Sequence, residues 1–403
     1  MARSEPLFSR PFVLLLCAQS VFGLGFSTFL ILPTYLKTAL SASAWEIGLV
    51  TSLFGLSSMI LMPLVGDWAD RTRRLPWAIA GAAISGAAAL GFVWVGEVGP
   101  LTYGLRLLHG VGNAFQFVAA GALVTDLVPM RRLGQGLGLF GVTMLSTNAI
   151  APAIAESVAA RWGWEPVFIG ASVASFLAIF FLAFVKEPIR DLSRADGASL
   201  LRLMMSRRSV WFMTVVSLMG AGFAALFTFI QPYAIDIGIT RISSFFVGYT
   251  VTAVAARILL GGLCDRVGRA RVSLAMIVLY GIPMALSANL NPDWLLWIGA
   301  IFGLAHGLLY PSLNALVVEP AAVNDRAKVF ALYMASFNAG WALGSIFLGW
   351  VAETFGYPAV FWVATAGVAC AAVIFGSAKE VRLQLSGPAR LIGPDGTLTR
   401  TRP

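Results

Sequence analysis

Twelve long apolar runs, joined by short polar connections, constrain this 403-residue chain more than any other feature. A helix that crosses hydrocarbon needs about 20 predominantly apolar residues. Backbone N–H and C=O groups find no partner in lipid, so each run must satisfy them within itself as a helix. The runs place helices at about 12–36, 46–65, 75–96, 100–124, 134–159, 166–185, 210–231, 244–263, 272–290, 294–318, 329–352 and 358–377. Apolar residues continue without period-2 alternation, which excludes a β-barrel. The expected fold class is an all-α membrane protein with twelve transmembrane helices. Only 12 % of residues are charged and 58 % are hydrophobic, against about 25 % charged in a soluble domain. That balance excludes a soluble, disordered or fibrous chain, and the connections leave no room for a separate catalytic domain. The first run is longer than a signal-peptide core, so it is expected to be a retained helix.

The formal net charge is +9. The basic residues sit between apolar runs, where a positive-inside bias accounts for them, so no nucleic-acid partner is expected. With the N-terminus inside, 23 of the 28 Lys and Arg residues fall on the cytoplasmic side, against Lys37, Arg161 and Arg241 outside. Both termini are therefore expected in the cytoplasm, with the chain in the inner membrane. Cys17, Cys264 and Cys370 are far apart, and no spacing suggests a disulfide framework or a metal site. No cofactor or metal is expected.

The longest polar stretch between runs is 186–209. Three pieces recur at nearly one offset of about 195 residues, in one order. GDWADRTRR (66–74) matches GGLCDRVGR (261–269). His109–Gly110 matches His306–Gly307, and these are the two histidines of the chain. GWEPVF (163–168) matches GYPAVF (356–361). The chain reads as two pseudo-symmetric six-helix bundles, 1–185 and 210–377, with a central loop at 186–209 and a polar, turn-rich tail at 378–403 expected to be a mobile cytoplasmic end.

Six plus six helices, a basic central loop and these loop repeats resemble the major facilitator superfamily (MFS) of secondary transporters. Gly66, Asp70, Arg71 and Arg74 match its loop signature. Trp68, Arg73 and Leu75 depart from it. Gly261, Leu263, Asp265, Arg266, Gly268 and Arg269 form the cleaner second copy. Arg106-Leu-Leu-His-Gly110-Val-Gly112 is similar to the family's fourth-helix pattern, and Asn148-Ala-Ile-Ala151-Pro152 partly resembles an element of exporters. The resemblance implies alternating access, and a cytoplasmic gate in which Asp70 and Arg74 latch to Asp126. Asp265, Arg266 and Arg269 would be the second-half counterparts. Arg257 is read as structural, tied to that second latch.

Arg106, His109, Asn113 and Gln116 step by three, four and three, which puts them on one face of a helix. His306, Tyr310 and Asn314 do the same in the tenth run. Ionisable residues inside a span face a cavity or a partner, so both stripes are expected to line a water-accessible path, with interhelical hydrogen bonding as the alternative. Gln19, Asn148, Gln231 and Asn338 are further path candidates, and Phe22, Phe26, Phe223 and Phe227 are candidate apolar walls. His109 beside Arg106 is the candidate group whose protonation responds to an anionic or polar ligand.

The expected function is a secondary active transporter of a small organic solute, working as a proton-coupled efflux antiporter, with the proton as candidate coupling ion and a monomer in the bilayer. Proton-coupled uptake of an organic anion, and a transport-dead receptor or partner on the same fold, are the alternatives. No nucleotide-binding loop, H-E-x-x-H or nucleophile–base pair occurs, so an enzyme is not expected.

Overall fold

The structure is a computed structural model that describes residues 7–129, 132–188, 204–318, 326–378, 381–382, 390–392 and 398–400. The side chains of Asp70, Asp265 and residues 326–327, 390–392 and 398–400 lie outside the description. Among the described residues, twelve helices are long and apolar enough to cross a membrane. They are α1 (Arg10–Ala39), α2 (Ala44–Ala69), α3 (Arg74–Trp94), α4 (Pro100–Leu127), α5 (Leu133–Trp162) and α6 (Glu165–Ala183), then α7 (Arg207–Asp236), α8 (Ser243–Leu260), α9 (Arg269–Ser287), α10 (Pro292–Val318), α11 (Lys328–Phe355) and α12 (Tyr357–Ser377). The helix of α2 continues to Arg71.

Local chemistry sets the ends. Ser43 and Glu46 form a capping box at the start of α2, with Ser43 Oγ accepting from the Glu46 N–H at 3.2 Å and the Glu46 carboxylate accepting from the Ser43 N–H at 2.8 Å. Gly163 and Gly356, the first residues of the matched GWEPVF and GYPAVF pieces, both have φ of +81°. That left-handed turn costs glycine least, and it folds α5 back into α6 and α11 back into α12. Two helices are interrupted. A 3₁₀ turn at Phe29–Ile31 sits in α1 just before Pro33. A π turn at Ala225–Phe229 sits in α7 just before Pro232. Proline lacks an N–H and crowds the carbonyl four residues earlier, so the ladder must be re-spaced there.

The chain divides into two compact units, Met1–Ala195 with Gln231–Ser243, and Asp196–Ile230 with Ser244–Pro403. The short segment 231–243 groups with the first unit. Gln231 Nε2 donates to Leu30 O at 2.7 Å and Thr34 Oγ1 donates to Gln231 Oε1 at 3.0 Å. Lys37 pairs with Asp236 at 2.9 Å, and Glu156 accepts the N–H groups of Ile242 and Ser243 at 2.6 and 3.2 Å.

The same set of helix pairs packs inside each unit. In the first, α3 lies on α4 and α6, α1 on α5 and α6, and α2 on α4. In the second, α9 lies on α10 and α12, and α7 on α11 and α12, while Gly299, Gly303 and Gly307 of α10 abut the backbone of Phe245, Tyr249 and Ala253 of α8. Lipid supplies no hydrophobic drive between helices, so small residues that allow close backbone approach take over. At the α3–α4 crossing, a Cβ on Gly81 would stand 2.6 Å from the Gly112 carbonyl oxygen, and one on Gly112 would stand 2.6 Å from the Ser85 nitrogen. Exposed tryptophans lie near span ends in each unit (Trp45, Trp68, Trp94 and Trp162 in the first, Trp294, Trp297, Trp350 and Trp362 in the second), where amphipathic rings favour a membrane–water interface. The tail carries one short strand pair beside the helical bundle. β1 (Arg390–Ile392) pairs antiparallel with β2 (Leu398–Arg400), Leu391 opposite Thr399 and Ile392 opposite Leu398, residues that suit a pleated strand.

Overpacking the α3–α4 crossing should be costly. Gly112→Val is expected to destabilise the protein by about 1–3 kcal/mol or more, read as a lower thermal-unfolding midpoint in detergent. Gly104→Val, in open space on the same helix, should leave the midpoint near wild type.

Candidate functional site

The polar stripe of α4 points inward. Arg106, His109, Asn113 and Gln116 are 4, 1, 5 and 0 % exposed, while Leu107 and Leu108 are 39 % exposed each. Arg106 Nη1 lies 3.0 Å from His109 Nδ1. A guanidinium can only donate, so Nδ1 accepts and the ring proton sits on Nε2. The guanidinium stands over the rings of Phe54 (4.7 Å) and Phe29 (5.8 Å). The His109 ring packs 4.2 Å from Phe29, 5.6 Å from Phe54 and 6.2 Å from Phe26. Such cation–π contacts contribute about 0.5–2 kcal/mol, well short of what a buried cation loses on leaving water. Among the described residues no carboxylate pairs with Arg106, and its Nε has no partner. Phe29 reaches this cluster from the 3₁₀ turn of α1, so the Pro33 interruption helps shape the site.

A polar file continues along the same helices. Gln116 Nε2 donates to Gln19 Oε1 at 2.9 Å, and Gln19 Nε2 reaches Met144 Sδ at 3.2 Å. Ser27 Oγ donates to Asn148 Oδ1 at 2.8 Å and lies 2.9 Å from Thr147 Oγ1. Asn113 Oδ1 and Gln116 Oε1 are buried without partners among the described residues. Gln19 and Gln116 therefore meet across α1 and α4, Asn148 of α5 meets Ser27 of α1, and Asn113 shares the buried face of α4. Gln231 does not join them, because its amide is engaged with Leu30 and Thr34 of α1.

In the second unit, His306 is the centre of an aromatic cage. Its ring lies 5.4 Å from Phe223, 5.8 Å from Tyr249, 6.0 Å from Phe302 and 5.9 Å from Tyr310. Phe223 and Phe227 stack at 3.9 Å beside the π turn of α7. The Tyr249 hydroxyl is 2.7 Å from His306 Nδ1. Arg257 of α8 holds its guanidinium 5.7 Å from the Tyr310 ring of α10. Asn338 Nδ2 donates to Met334 O at 2.9 Å, and Asn314 is half-buried lower on α10. Phe22 is fully buried against Ala82 and Ala178 as packing.

At the loop between α2 and α3, Arg74 Nη1 reaches Asp126 Oδ1 at 2.9 Å and Thr125 Oγ1 at 3.0 Å, with both ion-pair side chains 11 % exposed. Arg74 and Asp126 belong to one unit, so this pair ties α3 to α4. Arg71 pairs with Asp67 at the surface at 2.7 Å, an exposed i,i+4 contact of small value. Gly66 faces Val118 at 3.9 Å with room for a methyl group. Arg266 is exposed and Arg269 half-buried. The side chains of Asp70 and Asp265 lie outside the described residues. Trp68, where the family pattern has leucine, stacks on Trp77 at 5.4 Å, and Phe115 closes on Trp77 at 5.2 Å.

Several participants escape sequence reasoning. Glu187 accepts from the N–H groups of Arg74 (2.6 Å) and Leu75 (3.3 Å) and from Arg73 Nε (3.3 Å), capping the start of α3. Phe29, Phe54, Tyr249, Tyr280 and Tyr333 had no spacing to reveal them. One signal was present, the matched Ile31-x-Pro33 and Ile230-x-Pro232, which marks both helix interruptions. Among the described residues no group of three or more His, Cys, Asp or Glu side chains could hold a metal ion.

The sequence profile described as the Major Facilitator Superfamily matches residues 15–248 and 236–391. The chain is 27 % identical over 341 residues to the multi-drug resistance efflux pump PmrA of Streptococcus pneumoniae, covering 81 % of this chain and 84 % of that one. It is 28 % identical over 373 residues to the multidrug resistance protein MdtG of Proteus mirabilis, covering 86 % and 90 %. Among solved structures it is similar to a bacterial homologue of the human lysosomal transporter Spinster in an inward-facing, occupied conformation. The TM-score is 0.77 at 15 % identity, over 94 % of this chain and 98 % of that one. A point mutant of the nucleoside transporter NupG gives 0.75 at 16 % identity, over 91 % and 98 %.

Asp126→Asn removes a counter-charge from the part-buried Arg74. It should cost about 3 kcal/mol, seen as a lower unfolding midpoint in detergent. Arg71→Gln, at the exposed pair, should change the midpoint by less than about 1 kcal/mol equivalent.

Proposed function

Since the chain belongs to the major facilitator superfamily and has the twelve-helix fold of its transporters, we propose that it expels small, amphipathic organic compounds in exchange for protons. It is a multi-pass membrane protein, and its family and fold are those of non-enzymatic transporters. The inner membrane, cytoplasmic termini and a monomeric state complete the proposal. The Lys and Arg asymmetry supports the orientation.

The observation that carries the reading is the buried Arg106–His109 pair set among Phe26, Phe29 and Phe54. Aromatic faces take up apolar bodies of varied shape, which suits the broad specificity in the names of PmrA and MdtG. The pair supplies the coupling. Arg106 occupies His109 Nδ1, so a proton reaches that nitrogen only when the guanidinium turns away. A proton that enters there repels the guanidinium and adds a second positive charge beside the three rings, which disfavours an apolar or cationic solute; loss of that proton restores the site, so proton and solute exclude each other as exchange requires. Alternating exposure of this site to the two sides would convert proton entry into solute exit. Gln19, Asn113, Gln116, Asn148, Asn314 and Asn338 are the polar residues proposed along the path, and Arg74–Asp126 the proposed inner gate element.

A second reading, proton-coupled uptake of an organic anion, draws on the lack of a carboxylate partner at Arg106 among the described residues. Everted vesicles decide between them. With the lumen acid, a fluorescent amphiphile should accumulate inside, and collapse of the gradient should release it. Accumulation with the opposite gradient sign would favour uptake, and absence of flux under either gradient would favour a receptor on the same fold. His109→Gln is expected to abolish gradient-driven accumulation while sparing solute counterflow. Retention of gradient-driven accumulation in that variant would place the coupling proton elsewhere.

A further inference from the structure

The second unit holds a small crevice bordered by Tyr280, His306, Tyr310, Tyr333 and Phe337, with about 10 Å³ of free space, the room of a single water-sized atom. Its polar edge is uneven in kind. Tyr249 has one proton to place, and among the described residues its hydroxyl contacts His306 Nδ1. The phenol donates there, so the imidazole carries its proton on Nε2. That Nε2 is buried and has no partner among the described residues. Tyr310 donates its hydroxyl proton to Met334 Sδ at 3.2 Å, and a thioether is a weak acceptor. Tyr280 and Tyr333 donate to backbone carbonyls of Met219 and Tyr310. Arg257, over the Tyr310 ring, has a buried Nε without a partner, and no carboxylate pairs with it among the described residues. The crevice is thus edged by the His306 N–H and three phenol hydroxyls, without a carboxylate among its lining residues, and Arg257 stands beside it over the Tyr310 ring. In the first unit, by contrast, Asn113 Oδ1 and Gln116 Oε1 are acceptors awaiting donors.

A buried donor left unsatisfied is costly, and His306 Nε2–H, beside a hydroxyl held only by a thioether, lowers its energy most by meeting an oxygen that brings negative charge. We infer that this crevice is an oxyanion subsite, which receives one carboxylate oxygen of an acidic aromatic solute on His306 Nε2–H and Tyr310 O–H under the charge of Arg257. The space admits the oxygen and not the ring. The aromatic body rests against Phe223, Phe337 and Trp341, the Phe223 ring standing 5.4 Å from Phe337 and 5.2 Å from Trp341. The inference rests on the transporter reading and narrows it to aromatic acids among the solutes carried.

The test compares 2-naphthoate with 2-naphthamide, which share the ring system and differ in charge, by calorimetric binding to the purified full-length protein in detergent. Wild type should bind naphthoate at least tenfold tighter. Arg257→Gln should remove that preference while keeping naphthamide affinity, which also verifies the fold. His306→Gln and Tyr310→Phe should each weaken naphthoate about tenfold. Equal binding of acid and amide by wild type, or an undiminished preference in Arg257→Gln, overturns the proposal. If Arg257→Gln binds neither probe, the wild-type comparison alone decides. Solute flux in vesicles is scored separately. Protein that transports a neutral amphiphile without distinguishing the naphthalene pair defeats this subsite alone, whereas protein that transports nothing defeats the efflux reading.

Discussion

Hydrocarbon offers neither a donor nor an acceptor, and every feature of this protein answers to that. Backbone groups close on themselves as twelve helices. Helices then hold together through backbone approach, with Gly81 against Gly112 and Gly299 against Phe245, because lipid gives apolar side chains no reason to prefer protein. Polar side chains in such a medium must find each other. Where they do, as with Gln19, Gln116, Ser27 and Asn148, they bind α1 to α4 and α5. Where they do not, as at Arg106 Nε and His306 Nε2, a buried donor stands without a partner among the described residues.

Duplication and divergence are separable here. The frame is repeated: matched glycine turns at Gly163 and Gly356, matched proline interruptions in α1 and α7, and the same helix pairs in each unit. The lining is not. The first unit combines a cation with orphan amide oxygens, walled by phenylalanine. The second combines donors with tyrosine, four of the eight tyrosines of the chain standing around His306. Helix packing restricts residue size at the crossings, so those positions are held to small residues. Interior faces are restricted only by polarity, which leaves room for the two halves to differ.

The loop between α2 and α3 shows how one signature can be met by several contacts. Arg74 works through Asp126, and the cap on α3 comes from Glu187, which stands beyond the end of α6 in sequence. Trp68 replaces a smaller apolar residue by stacking on Trp77. Arg71, though it matches the family pattern, holds a surface pair with little to gain in energy.

Membrane class, span number, the repeat and the inward stripe of α4 were readable in the chain as written. Each depends on hydropathy or on helical spacing, and both are local properties of neighbouring residues. The aromatic surroundings of Arg106, the tautomers of the histidines, the cap from Glu187 and the attachment of 231–243 to the first unit were not readable. They depend on which faces of distant helices meet, and an apolar stripe carries no label for its partner. The tyrosine cage is the clearest case. Tyr249, Tyr280, Tyr310 and Tyr333 come from four helices with no common spacing, and close packing in the folded bundle is what makes them one environment.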